Sequence, residues 1–253
     1  VIETIEALHP AVRAALGGSI GAIFGSYTGA LVLRWPDGEG TVSGRSRCDI
    51  CKRQLAWHEL IPLLSFFILR GKCRSCNAQI DRAQPLSEWI GALVCGLAFC
   101  LLPLAEAAAW SLLALLLLPL ALLDARHYWL PDRLLFLLAF LGLAMGSYTS
   151  DGVSLPMRLT GAIAAFASLE LVRRLFRILR DKDGMGAGDP KLFAAIAVWM
   201  PPLDLPFLAL IAAALGLVVA LVGTVRGKPP KMLPLGTMMA TAVMLWGIFR
   251  LLR

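Results

Sequence analysis

Charge is what this chain of 253 residues has least of. Only 16% of its residues are Asp, Glu, Lys or Arg, and 58% are hydrophobic, for a mean hydropathy of +0.73. Soluble domains carry about a quarter charged residues, so this balance argues against a single soluble globular domain, and a disordered chain would need the opposite balance. Twenty-three glycines are too few for a collagen-like chain, and six cysteines too few for a small secreted disulfide scaffold. Low-complexity tracts and long internal repeats are also missing. What remains is a polytopic membrane protein.

A spanning helix takes about 20 mostly apolar residues. Eight stretches qualify or come close: 14–33, 86–104, 107–123, 134–150, 157–172, 191–203, 206–225 and 234–251. The stretch 191–203 is the weakest, because it stops at Pro201-Pro202. Lys and Arg concentrate in cytoplasmic loops. With both termini outside, the loops 34–85, 124–133, 173–191 and 226–233 are cytoplasmic and hold 20 of the 24 Lys and Arg. The exceptions are Arg13, Arg158, Arg250 and Arg253. The formal charge of +7 therefore reports topology, not nucleic-acid binding. Trp110, Trp199 and Trp246 fall near span ends, where an interfacial belt places them. Acidic Glu3 and Glu6, with no basic segment leading into a cleavage site, mark the first span as retained. The fold class is thus all-α, with about eight transmembrane helices: a first helix in 1–33, a cytoplasmic insertion at 34–85 and a transmembrane core at 86–253.

The insertion is the one long polar stretch, and about 50 residues need a staple to fold. It carries Cys48 and Cys51 in RCDICKRQ and Cys73 and Cys76 in KCRSCNAQ. Two C-x-x-C pairs at this spacing suit one tetrahedral zinc ion held by four thiolates. Two disulfides or free thiols are the alternatives, and a cytoplasmic location disfavours the disulfides. Four thiolates leave no open coordination position, so the site reads as structural. Cys95 and Cys100 lie in an apolar span and read as small buried hydrophobes.

Acids at span boundaries are functional candidates. LLDARHYWLPDRLL carries Asp124 and Asp132, and DKDGMGAGDPKLF carries Asp181, Asp183 and Asp189. Both loops are expected on the cytoplasmic side, so one carboxylate from each can meet. Two facing carboxylates share one proton, since like charges a few Å apart do not both ionise cheaply. Such a pair can activate water and protonate a leaving amine, which is aspartic-protease chemistry. Asp132, after Pro131, reads better as a helix N-cap, and Asp181 and Asp183 as solvated. Asp189 follows Gly184, Gly186 and Gly188, whose lack of a side chain permits close backbone approach or positive φ. The glycine spacing is not that of a nucleotide loop, and no strand precedes it. His127 reads as a surface residue.

These motifs together resemble the bacterial type IV prepilin peptidases, also called leader peptidase/N-methyltransferases. GSYTGALVLRWP after the first span, LIPLLSFFILRGKC between the C-x-x-C pairs, PLSEWIGAL from Pro85, LLDARHYWLPDRL and GMGAGDPKL all fit that family's pattern. The resemblance implies an intramembrane-type aspartic endopeptidase of the bacterial inner membrane, with Asp124 and Asp189 as its catalytic pair. Gly184, Gly186, Gly188 and Lys191 would shape the loop or contact substrate. The substrates would be prepilins or pseudopilins of pilus and type II secretion systems, cut after a glycine on the cytoplasmic side. Asp49, Glu59 and Asp81 are the acids near enough in sequence to meet a basic leader. Many members also methylate the new N-terminus with S-adenosylmethionine. Departures from the pattern are Asp49 in the first C-x-x-C, Gln84 before Pro85, and Leu235 and Thr237 in PLGTMM. The competing readings are a peptidase without methyltransferase activity, a polytopic transporter and a zinc-knuckle membrane scaffold.

Overall fold

In the computed structural model, residues 6–41, 45–181, 184–228, 230 and 232–251 are described. Glu3, Asp183 and Arg253 lie outside them. The helices are α1 (Pro10–Arg34), α2 (Leu64–Ile68), α3 (Ala83–Leu101), α4 (Leu104–His127), α5 (Asp132–Thr149), α6 (Leu155–Arg180), α7 (Gly188–Ala197), α8 (Leu205–Val225) and α9 (Leu235–Leu251). Among the described residues the only β pairing is two isolated bridges. The all-α membrane fold read from the sequence is borne out, and a helix stands at each of the eight expected positions. Six of them are long and apolar enough to cross a bilayer. The apolar helix at 235–250 is shorter, and α7 has only 10 residues. Ten residues rise about 15 Å, half a hydrocarbon core, so α7, at the stretch that reads as the weakest span, does not cross by itself. The chain divides into two compact units, Val1–Pro119 and Leu120–Arg253, with the boundary inside α4 at Pro119.

The first unit is built on glycine. Gly17, Gly21, Gly25 and Gly29 recur every fourth residue of α1 and so share one face. A Cβ on Gly17 would lie 2.7 Å from the Cys95 carbonyl oxygen, and Cβ atoms on Gly21 and Gly25 would collide with the backbone of Gly91 and Ser87. The α1 and α3 backbones therefore touch directly. In a bilayer, where water does not drive helices together, such close packing supplies the attraction.

The second unit is organised around the short helix α7, nearly all of it buried. A helix that ends inside a membrane protein leaves carbonyls without partners. Here buried side chains meet them. Arg158, 3% exposed, donates from Nη1 to the Val198 carbonyl and to that of Gly142, both at 2.9 Å. Thr149 Oγ1 donates to the Trp199 carbonyl at 2.5 Å. Gly142 and Gly146 on α5 leave the room: a Cβ on Gly142 would lie 2.7 Å from Trp199 Nε1, and one on Gly146 would strike Arg158. Trp199 is fully buried and donates to the Leu138 carbonyl at 2.9 Å, so it is a core residue and not part of an interfacial belt. Three of the four basic residues outside the expected cytoplasmic loops have specific partners. Arg13 bonds the Leu102 carbonyl, Arg158 clamps α7, and Arg250 pairs with Asp151 and with Asp204.

Arg158→Leu keeps the apolar volume but strips the buried Val198 carbonyl of its donor, whereas Gly142, inside α5, keeps its helical one. It should lower the apparent unfolding temperature in detergent, at about 1–3 kcal/mol for the acceptor left bare. Thermal unfolding followed by circular dichroism measures this, and an unchanged transition would remove the clamp from the account.

Candidate active site

Asp124 stands in the last turn of α4 and Asp189 in the first turn of α7. Both are buried, 5% and 6% exposed, in surroundings where an uncompensated charge is costly. Each carboxylate meets backbone donors. Asp124 Oδ2 accepts the Thr237 N–H at 2.7 Å and lies 3.1 Å from Thr237 Oγ1. Thr237 belongs to the N-terminal turn of α9, where free N–H groups and the helix dipole favour an anion. Asp189 Oδ2 accepts the Gly186 N–H at 3.0 Å. Burial pushes the Asp189 carboxyl up to about 6; the negative charge of Asp124 adds to the shift and the Gly186 N–H opposes it. The two acids are therefore close enough to sense each other's charge.

Leu130, between α4 and α5, packs beside both. A Cβ on Gly188 would lie 2.9 Å from Leu130 Cβ, and one on Gly236 would lie 3.1 Å from both Leu130 Cδ1 and the Asp124 carboxyl. A Cβ on Gly186 would sit 3.1 Å from Asp189 Oδ2, and one on Gly184 would strike the Phe176 ring. Of the two reasons for glycine before Asp189, only space applies: Gly184, Gly186 and Gly188 do not adopt positive φ. Lys191, two residues beyond Asp189, reaches Asp132 with Nζ to Oδ1 at 2.7 Å. Asp132 is therefore not the cap of α5. Pro131 holds that position, and the Asp132 carboxylate goes to Lys191 instead. Asp181 ends α6 in a left-handed conformation and is exposed, and His127 is exposed at the end of α4. Leu130, Gly236 and Thr237 were not legible as site residues, because each reaches the acids only through tertiary structure.

The four cysteines of the insertion converge. The Sγ atoms of Cys48, Cys51, Cys73 and Cys76 all lie within 4.8 Å of one another, and Cys48 and Cys76 Sγ are 3.9 Å apart. Tetrahedral zinc with bonds of about 2.3 Å would hold sulfurs about 3.8 Å apart, so the cluster fits that ion. The two knuckles are local copies. Cys48 N–H bonds the Arg53 carbonyl and Lys52 N–H the Cys48 carbonyl; Cys73 N–H and Asn77 N–H repeat the pattern with Ala78 and Cys73. Lys52 and Asn77 both take positive φ, and the bridges Arg47–Gln54 and Lys72–Gln79 close both turns. A repeat too short to register in the sequence is thus plain in the backbone. N–H groups of Cys76 and Ser75 hold the Cys73 thiol down to about 6. Arg53 grips Glu59 with two bonds of 2.7 and 3.0 Å, and Glu59 also accepts the Ala56 N–H. Together these hold the Glu59 carboxyl at about 2. Glu59 is consequently committed to Arg53, and Asp49 to Arg34 at 3.0 Å, so neither is a ready partner for a basic peptide.

Two sequence families match the chain: the Bacterial Peptidase A24 N-terminal domain over residues 19–102 and the Type IV leader peptidase family over residues 111–221. The chain is 32% identical over 241 residues to the Type 4 prepilin-like proteins leader peptide-processing enzyme of Escherichia coli O78:H11, covering 87% of this chain and 88% of that protein. It is 35% identical over 215 residues to the Prepilin leader peptidase/N-methyltransferase of Stutzerimonas stutzeri, covering 80% of this chain and 72% of that one. The like-named protein of Pseudomonas aeruginosa PAO1 is 36% identical over 210 residues, covering 80% and 71%. No solved structure matches the chain.

Two outcomes follow from this geometry. A carbodiimide, which reacts with protonated carboxyls, should label Asp189 with a midpoint near pH 6. In Asp124→Asn the midpoint should fall, because a neighbouring negative charge is gone; peptide mapping reads it, and an unmoved midpoint would mean the acids do not interact. Purified protein should also carry one zinc ion per chain by elemental analysis, lost in Cys73→Ser together with the protease resistance of residues 48–76.

Proposed function

Because the chain belongs to the type IV leader peptidase family, we propose that it removes the leader peptides of type IV prepilins or pseudopilins and then methylates the new N-terminus. Cleavage would follow a glycine at the cytoplasmic face of the bacterial inner membrane, with both termini of the chain outside. The observation that carries this reading is a pair of buried carboxylates, Asp124 and Asp189, each held by a backbone N–H.

In this reading the two acids hold one proton between them. The scissile peptide lies extended beside the loop from Gly184 to Gly188, next to Asp189. The ionised carboxylate takes a proton from water as the water oxygen attacks the scissile carbonyl carbon. The protonated carboxyl donates to the carbonyl oxygen, which gathers negative charge. As the tetrahedral intermediate collapses, the C–N bond breaks, the leaving amine takes a proton from the pair, and a hydroxyl of the intermediate returns its proton to the pair as the new carbonyl forms. The carboxylates end with the single proton they began with. Thr237 and Gly186 keep one oxygen of each acid occupied, which orients the other oxygen toward the reaction. Lys191, tied to Asp132, steadies the first turn of α7.

Cys48, Cys51, Cys73 and Cys76 would hold one zinc ion. With all four positions taken by thiolates, that ion supplies folding energy to the insertion, the 34–85 segment between the first helix and the core. The methyl transfer would use S-adenosylmethionine. An insertion of about 50 residues is too small for a soluble methyltransferase fold, so the donor would have to be bound by the membrane protein itself.

Asp124→Asn and Asp189→Asn should each reduce prepilin cleavage by at least 10²–10⁴-fold, roughly the contribution of general acid–base catalysis. Mass spectrometry of a prepilin incubated with membranes carrying each variant reads both the cut and any added methyl group. Normal cleavage by either variant would eliminate the pair.

A further inference from the structure

The zinc insertion carries an apolar surface that a water-exposed module has no use for. Trp57, Ile61, Leu64, Phe67 and Ile68 are exposed, Trp57 at 77% and Ile68 at 69%. They cluster on the turn at Trp57–Leu60 and on α2, within the peptide that joins the two knuckles. Contiguous exposed apolar patches on a protein mark an interaction surface.

The depth of this segment follows from α3. Arg82 precedes the helix, and α3 has 19 residues, which rise about 28 Å. A hydrocarbon core is about 30 Å thick, so α3 needs its whole length to cross. Trp89, six residues beyond Ala83, then lies about 9 Å in from the helix end. The segment is fastened at that depth by two contacts. The Phe67 ring meets Trp89 edge to face at 6.3 Å. The Leu63 N–H donates at 2.7 Å to Glu88, a carboxylate only 5% exposed on α3. Leu63 takes positive φ (61°) there, a conformation a leucine adopts only under constraint. Beyond Trp89 the exposed apolar stripe runs on through Leu93, Leu97 and Leu101 of the same helix. The patch on the insertion is thus continuous with the exposed apolar stripe of a helix long and apolar enough to cross a bilayer. Exposed Arg70 and Lys72 follow it directly, where they can meet anionic headgroups.

We propose that the insertion is not a free cytoplasmic module but lies in the membrane interface, with Trp57, Ile61, Leu64, Phe67 and Ile68 in the boundary between headgroups and acyl chains. A depth of 5–10 Å is usual for such interfacial segments. The lipid surface would then set the position of the zinc knuckles.

The test is photolabelling of the full-length protein, reconstituted in phosphatidylethanolamine and phosphatidylglycerol vesicles doped with a phospholipid bearing an acyl-chain diazirine. Peptide mapping should find adducts between residues 57 and 68 at yields comparable with those on Leu93 and Leu97. In Phe67→Asp/Ile68→Asp, whose changes fall at exposed positions, adducts between 57 and 68 should be lost while those on α3 remain. Labelled α3 with a bare 57–68 segment in the wild type would overturn the proposal, and so would undiminished labelling in the variant. Adducts that vanish when a saturating prepilin peptide is added would overturn it too, since the patch would then be a pilin docking surface.

Discussion

Two carboxylates kept out of water, in a chain that has almost no charge to spare, are the constraint on which the second unit depends. A buried acid must be neutralised, paired or given hydrogen-bond donors. Asp124 and Asp189 receive the Thr237 and Gly186 N–H groups, both from backbone at the start of a helix. That solution dictates the rest. One helix must begin at each acid's donor, so α7 starts beside Asp189 and α9 starts beside Asp124. The backbone around those helix starts is crowded, hence Gly184 against Phe176, Gly186 against the Asp189 carboxylate, Gly188 against Leu130 and Gly236 against Asp124. α7 is short, and Arg158, Thr149 and Trp199 bond at its other end.

The first unit solves a different problem by the same economy. Its two long helices are drawn together by glycines at every fourth position of α1. Its polar insertion is too small to fold on apolar burial alone. The four cysteines supply the staple, and Arg53 with Glu59 closes the turn beside them. Buried Glu88 fixes the segment between the knuckles to α3. Each device replaces a hydrophobic core that a fifty-residue segment cannot assemble.

Helix positions were legible in the sequence because runs of apolar residues declare themselves. The cysteine cluster was legible because its ligands are paired locally at fixed spacing. The end of the sixth expected span was not: 191–203 reads as a weak span running to Pro201-Pro202, yet its helix stops at Ala197, and side chains from other helices meet the carbonyls that follow. Trp199 looks like a belt residue by position, and only the packing shows it buried against α5. Asp132 carries the signature of a cap, but a lysine 59 residues away takes its carboxylate. Arg158 stood out in the sequence only as a cation outside the cytoplasmic loops, and Thr237 only as a departure from a motif; their partners, 40 and 113 residues away, were not legible. The glycines before Asp189 were legible as special, although the cause is space and not backbone conformation.

The central claim is that Asp124 and Asp189 act as one unit on one proton. The most direct measurement compares cleavage rates of Asp124→Asn, Asp189→Asn and the doubly substituted protein on the same prepilin. Groups that act together lose their effect together, so the double variant should be no slower than the slower single one. Losses that multiply would show two acids working separately and would contradict the account.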